Sequence, residues 1–244
     1  MLPALSGTAP ASGKGTPVEK PAPVEEAAEG LLGGIGLEWS AGYDSHYIFR
    51  GELLQKNTVW TQLSYDLAIN DWLSLNVTPW FLQDVDSDYN EFDLTAGLTA
   101  AVADFEFTLG YAGYWYPRGS WGDGEGDDDE QEMSLGVSRS FGPVSVGLLG
   151  VYNFNRDGYY YEATLGYELE VSDALTLTPA VVAGWDTDYY AEGTGWNHAG
   201  VMLTADWSVT PWLTVSPYIA GNFASGHLED RDDVYGGVRV AITF

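Results

Sequence analysis

Val234-Tyr235-Gly236-Gly237-Val238-Arg239-Val240-Ala241-Ile242-Thr243-Phe244 ends the sequence. Counting back from Phe244, every second residue is apolar or glycine: Ile242, Val240, Val238 and Gly236. Between them stand Thr243, Ala241, Arg239 and Gly237. Side chains alternate across a strand, so this is a strand with one apolar face. The same period runs back through the chain. Trp72–Phe81 sets Leu73, Leu75, Val77 and Phe81 against Ser74, Asn76 and Thr78. Phe105–Tyr116 sets Phe105, Phe107, Leu109, Tyr111 and Trp115 against Glu106, Thr108, Gly110, Ala112 and Tyr114. Tyr159–Val171 and Ala199–Val209 repeat the pattern. From Leu31 on nothing has helical period, and the alternating segments number about twelve.

The connections alternate in length. Short turns fall at Asn70-Asp71, Ala103-Asp104, Gly142-Pro143, Ser172-Asp173 and Thr210-Pro211. Longer acidic, glycine-containing loops fall near residues 50–57, 82–91, 117–131, 186–195 and 223–233, with a shorter one near 155–158. Trp72-Leu73-Ser74-Leu75, Ala174-Leu175-Thr176-Leu177 and Trp212-Leu213-Thr214-Val215 each follow a short turn, which suggests duplicated hairpins. Pro79, Pro179 and Pro217 lie inside strands on the apolar parity, and each removes a ladder hydrogen bond. Residues 1–30, rich in Pro, Ala, Gly and Glu, read as a disordered extension before a barrel over 31–244. That stretch lacks the basic start and long apolar run of a secretory signal.

Composition narrows the function. With 9 Lys and Arg against 36 Asp and Glu, the chain cannot neutralise phosphates and is not a nucleic-acid binder. It has no Cys, hence no disulfide and no thiolate chemistry. Aromatic residues at 14% argue that so acidic a chain folds. No apolar run approaches the ~20 residues of a membrane helix, but strands need only about 10 alternating residues.

A soluble barrel and a membrane barrel both alternate. Two features favour lipid on the apolar side. No Lys follows Lys56, whereas soluble sheet edges usually carry Lys. The polar face is mostly Gly, Ala, Ser and Thr with acids, and the apolar face carries bulky residues with Trp and Tyr near segment ends. The expected fold is all-β: an antiparallel up-and-down transmembrane β-barrel of about 12 strands in the bacterial outer membrane. The barrel assembly machinery would be a partner, with Phe244 as the assembly signal.

Asp44-Ser45-His46-Tyr47-Ile48-Phe49-Arg50-Gly51, followed by Gln55, resembles the opening strand of the TorF family of porins. That family continues with a Ser-Gln pair where this chain has Glu52-Leu53-Leu54-Gln55. The resemblance covers the first hairpin. It implies a Gram-negative outer-membrane channel and brings no catalytic residues.

Lumen parity collects Glu38, Asp44, Asp66, Asp93, Glu106, Glu132, Glu162, Glu168, Glu170 and Asp206. Arg239 shares that face, and Arg239 and Arg50 are the expected counter-charges. Such pairs would also narrow or plug the pore. An acidic lining concentrates cations, so the expected work is passive diffusion of small solutes or cations. The alternative is a plugged structural or adhesion barrel whose acidic loops bind divalent ions or a surface partner. Arg139 breaks the pattern: it falls on the lipid parity beside Phe141, near a strand end where Arg can snorkel. Asp127, Asp128, Asp129 and Glu130 are the candidate Ca²⁺ ligands, against the simpler reading of a solvated acidic loop. Asp84-x-Asp86-x-Asp88 starts like an EF-hand but has Tyr89 and Thr95 where Gly and Glu are needed. No cofactor is otherwise implied. His46, His198 and His227 are the only histidines, and no Gly-x-Ser-x-Gly occurs, so the chain is not read as an enzyme.

Overall fold

The structure is a computed structural model, and it describes residues 35–118, 129–225, 228 and 232–244. The expected extension over residues 1–30 lies outside the described residues.

The strands are β1 (Leu37–Phe49), β2 (Glu52–Asn70), β3 (Leu73–Asp84), β4 (Asn90–Val102), β5 (Phe105–Arg118), β6 (Glu130–Phe141) and β7 (Val144–Asn153). They continue as β8 (Gly158–Tyr167), β9 (Leu169–Ser172), β10 (Leu175–Thr187), β11 (Thr194–Thr210), β12 (Leu213–Ala224) and β13 (Asp232–Thr243). Neighbours pair antiparallel in chain order, and β1 pairs with β13 from Glu38↔Thr243 to Asp44↔Gly237, closing the sheet. Closure leaves no edge along that seam. Because β8 and β9 both pair with β10, the thirteen segments form twelve staves.

The prolines explain the extra segment. The β8–β10 ladder stops at Gly166↔Ala180, and the β9–β10 ladder resumes at Leu169↔Leu177, so the gap lies opposite Thr178 and Pro179. The β2–β3 ladder skips from Gln62↔Trp80 to Tyr65↔Val77 around Pro79. The β11–β12 ladder skips from Thr204↔Tyr218 to Trp207↔Val215 around Pro217. Each proline still sits in register on its other side, opposite Leu94, Leu203 and Val238. A missing N–H therefore interrupts one ladder and spares the other.

The five expected short turns and both described termini share one end, the turn rim. Three of these turns repeat one cap. The side-chain oxygens of Asn70, Ser172 and Thr210 accept the N–H of Trp72, Ala174 and Trp212, at 3.0, 3.3 and 3.3 Å. These cap the same three hairpins that share the Leu-rich sequence repeat, so the repetition extends to turn chemistry. Phe244 donates its backbone N–H to Leu37 at 2.8 Å and accepts from Ile35 at 3.0 Å.

Outward positions are exposed and apolar: Leu98, Leu109, Leu135, Leu148, Leu165, Val201 and Ile219 around the middle. Trp39, Trp72, Phe105, Phe141 and Trp207 lie toward the turn rim, and Phe81, Tyr152, Tyr159, Trp185, Trp196 and Phe223 toward the other. An apolar belt between two aromatic girdles is the pattern that lipid requires. Arg139 lies among its rings as a rim residue, 4.8 Å from the Phe105 centroid and 4.7 Å from Phe141, and it pairs with Asp104 at 3.3 Å.

Candidate functional site

The expected loop near residues 50–57 is not a loop. Phe49 pairs with Glu52, leaving Arg50-Gly51 as a two-residue turn with φ of 49° and 88°. Positive φ at both central residues matches the strand twist and makes a tight hairpin. The hairpin also leaves the wall. β1 loses β13 beyond Asp44, and β2 meets β3 only from Thr58 onward. The departure coincides with Asn57 at φ 53° and a register shift between Tyr47 and Ile48. Tyr47, Ile48 and Arg50 are buried because the tip folds into the lumen.

Two aromatic clusters grip it. On one side Tyr47 packs with Trp80, Leu82 and Tyr89, flanked by Phe49, Leu54, Trp60 and Tyr116. On the other, Val151, Tyr160 and Tyr189 form a second cluster with Leu149 and Tyr190. Tyr190 donates its hydroxyl to the Phe49 carbonyl at 3.0 Å, and Asn222 donates to the Gly51 carbonyl at 2.8 Å. Elements from opposite sides of the barrel thus hold one turn.

Between the clusters Arg50 crosses to Glu132 on β6. Its two terminal nitrogens donate to the two carboxylate oxygens at 2.6 and 2.8 Å. Tyr114 donates to the same carboxylate at 2.8 Å and Asn153 at 3.3 Å, while Tyr189 both accepts from Arg50 and donates to Glu132. Burial pushes the phenol of loop residue Tyr189 up, which keeps its proton available for donation. The guanidinium sits 4.5, 5.0 and 5.1 Å from the ring centroids of Phe49, Tyr160 and Tyr189. A bidentate pair whose carboxylate gathers further donors suits a buried setting, and only Arg50 Nε of the pair is left without a partner among the described residues.

The turn-rim half of the lumen differs. Hydroxyl and amide groups line it: Asn76 donates to Ser64 and Asp66, both at 2.9 Å, and Thr78 donates to Ser64 at 2.9 Å. Glu106 accepts from Ser138 at 3.3 Å and Asp206 from Ser216 at 2.6 Å. Arg239 donates to Glu38. Most of these side chains are partly exposed, so this half is open to water.

The proposed lumen residues therefore divide. Asp44, Asp93, Glu132, Glu162 and Arg50 are buried around the hairpin, whereas Glu38, Asp66, Glu106, Asp206 and Arg239 lie in the open half. Glu168 falls in the break opposite Pro179, and Glu170 is exposed at the turn rim. Sequence reasoning missed Asp84, Glu91 and Asp186, which are also buried because β3, β4 and β10 run further than the loops drawn over them. The signal was present, since each continues the lumen parity of Leu82, Asp93 and Gly184. Glu91 accepts from Tyr47 at 3.1 Å and Tyr89 at 2.8 Å, a further tie to the hairpin.

Asp127, Asp128 and His227 lie outside the described residues. Glu130 pairs with Arg156 at 2.7 Å, and the Asp129 carbonyl accepts from Asn155 at 2.9 Å. Asp84 uses its carboxylate to cap the N–H groups of Asp86 and Ser87, at 2.6 and 3.1 Å. Among the described residues no three His, Asp or Glu side chains are placed to hold a metal. His46 lies 4.0 Å from Asp233, and His198 is buried.

No protein-family model matches this chain, and no curated protein does. Solved structures do. The COG4313 outer membrane channel from Pseudomonas putida F1 aligns with a TM-score of 0.62 at 14% identity, over 93% of this chain and 100% of that one. A KdgM porin in complex with disordered oligogalacturonate aligns with 0.54 at 11%, over 85% and 98%. The NanC porin aligns with 0.51 at 11%, over 85% and 98%. The fold is that of the outer-membrane channel barrels.

Proposed function

We propose that the chain is a small-solute channel of the bacterial outer membrane, cation-preferring, with its loop-side neck closed by the β1–β2 hairpin. The observation that carries this reading is the divided lumen. A water-accessible, hydroxyl-lined half leads to a neck filled by a hairpin that is hydrogen-bonded to the wall rather than continuous with it. Charge supports the cation preference: ten lumen-parity acids face Arg50 and Arg239, and each guanidinium is already paired. Oligogalacturonate, held by one of the similar barrels, is a polyanion that such a lining repels. The partial likeness of the Asp44–Gly51 motif to the TorF porins agrees, since the motif forms the hairpin itself.

Single-channel recording of the refolded chain in planar bilayers under a salt gradient tests the reading. The wild type is expected to conduct in small or brief events with cation-selective reversal. Replacing residues 47–54 by a Gly-Ser linker should raise conductance severalfold without reversing selectivity. A silent wild type and a silent hairpin-deleted barrel, both inserted and β-rich, would sink it.

The density of donors on Glu132 favours a second reading, a permanently plugged structural barrel whose acidic loops meet divalent ions or a surface partner. Silence of both proteins is its signature.

A further inference from the structure

Glu162 on β8 pairs in register with Gly184 on β10, and Gly184 pairs with His198 on β11. The three form one lumen-facing row with no side chain at its centre. That gap is occupied from both sides. A Cβ on Gly184 would lie 2.6 Å from His198 Nδ1 and 2.9 Å from the Tyr160 hydroxyl. Above the row the hairpin tip leaves a cavity of about 40 Å³, whose lining includes Ile48, Gly51, Glu162, Val182, His198 and Met202. At ~10–15 Å³ for each water-sized group, it takes about three such groups.

The polar groups at the row have fixed roles. Asn197 donates its amide to Asp186 at 2.9 Å, and a carboxylate only accepts. The amide oxygen of Asn197 is thereby turned to His198 Nδ1, at 2.8 Å, and must accept there. The proton of a neutral imidazole is then on Nδ1, leaving a lone pair on Nε2. Glu162 Oε2 accepts from Tyr160 at 2.8 Å. Neither Glu162 Oε1 nor His198 Nε2 has a hydrogen-bond partner among the described residues. The site offers two acceptors, one negative charge and an aliphatic wall. Arg50 also lines the cavity, and its charge is paired with Glu132.

We propose that this row is a binding site for a small primary ammonium group carrying a short aliphatic body. Such a ligand supplies only donors, one positive charge and an apolar tail, and three or four heavy atoms fill the cavity. An anion is repelled by the Glu162 carboxylate, although Arg50 Nε, also in the lining, has no hydrogen-bond partner among the described residues, and a metal ion finds two side chains of the three or four it needs. The inference rests on the channel reading only in treating the ligand as a solute in passage.

The test is isothermal titration calorimetry of the full refolded chain in detergent micelles near neutral pH. The probes are n-propylammonium chloride and the neutral isostere n-propanol. Saturable single-site binding of the ammonium is expected, with none for the alcohol. Glu162→Gln and His198→Gln should each weaken it about tenfold or more, the scale of one hydrogen bond to a charged group. Gly184→Ala leaves both acceptors but forces the imidazole and the Tyr160 hydroxyl to shift, so it should weaken binding too. It also keeps the test decisive if an acceptor variant fails to show the heat-modified mobility of a folded barrel. Equal uptake of the alcohol, no saturable binding, or Glu162→Gln behaving as wild type would each overturn the proposal. Tighter binding of Zn²⁺ at the same residues would overturn it in favour of a metal. A silent channel that still binds ammonium would cost only the channel reading, and a conducting channel that does not bind would cost only this one.

Discussion

Two of the arginine–glutamate pairs among the described residues are set in different media. In the hairpin neck the side chains of Arg50 and Glu132 are 6% and 2% exposed, with further donors on the carboxylate. In the open half those of Arg239 and Glu38 are 36% and 25% exposed. The chemistry is the same and the consequences differ. Water screens the second pair and stands ready to replace either partner. Nothing replaces a partner of the first, so its integrity and that of the plug are one property. One barrel thus combines a rigid, aromatic-packed neck with a hydrated vestibule.

The largest test of this contrast is Glu132→Ala. Leaving the Arg50 charge buried and unpaired should cost about 3–5 kcal/mol, read as a lower denaturant midpoint or expulsion of the hairpin with a rise in conductance. A variant with wild-type midpoint and conductance would break the comparison. Replacing both partners, Arg50→Leu with Glu132→Leu, removes the desolvated charges together. It should restore most of the loss and even add ~1–4 kcal/mol, while losing the specific seating of the turn. If the double variant is as weak as Glu132→Ala alone, the clasp acts through something other than charge burial.

Smaller effects belong to the open half. Glu38→Ala should change stability by less than about 1 kcal/mol. A cost matching that of Glu132→Ala would mean that this half is as dry as the neck. The smallest effect is on selectivity. Asp206→Asn with Glu106→Gln should move the reversal potential toward zero, visibly at 0.1 M salt and hardly at 1 M, because the screening length falls from ~10 to ~3 Å. A shift independent of salt would place those acids in a site of low dielectric, contrary to their exposure.

Much of this was readable from residues alone. Period-2 alternation placed the strands, five short turns placed one rim, and parity placed Glu132, Glu162 and Arg239 inside. The prolines and their one-sided gaps were half visible, since the lost N–H is a property of the residue while the spared neighbour depends on pairing. The hairpin was misread as a surface loop because Arg50-Gly51, Glu52 and Lys56 look solvent-facing. A clue stood beside them: Tyr47, Ile48, Phe49, Leu53 and Leu54 do not alternate, and strands apolar on both faces are covered on both. That Arg50 selects Glu132 rather than another acid depends on a contact across 82 residues, which no local pattern encodes.

The same separation in sequence sets an order of events. Arg50 and Glu132 are 82 residues apart, whereas Glu38 and Arg239, across the seam of β1 and β13, are 201 apart. Joining distant segments costs more chain entropy and more time. The turn is therefore expected to find its carboxylate while the sheet is still an open ribbon, with the wall then wrapping around it. In that order the hairpin would be a mandrel rather than a cork. Time-resolved refolding into vesicles should show aromatic burial around Tyr47 and Tyr189 before the heat-modified mobility that reports closure. The reverse order would mean that the plug enters a finished barrel.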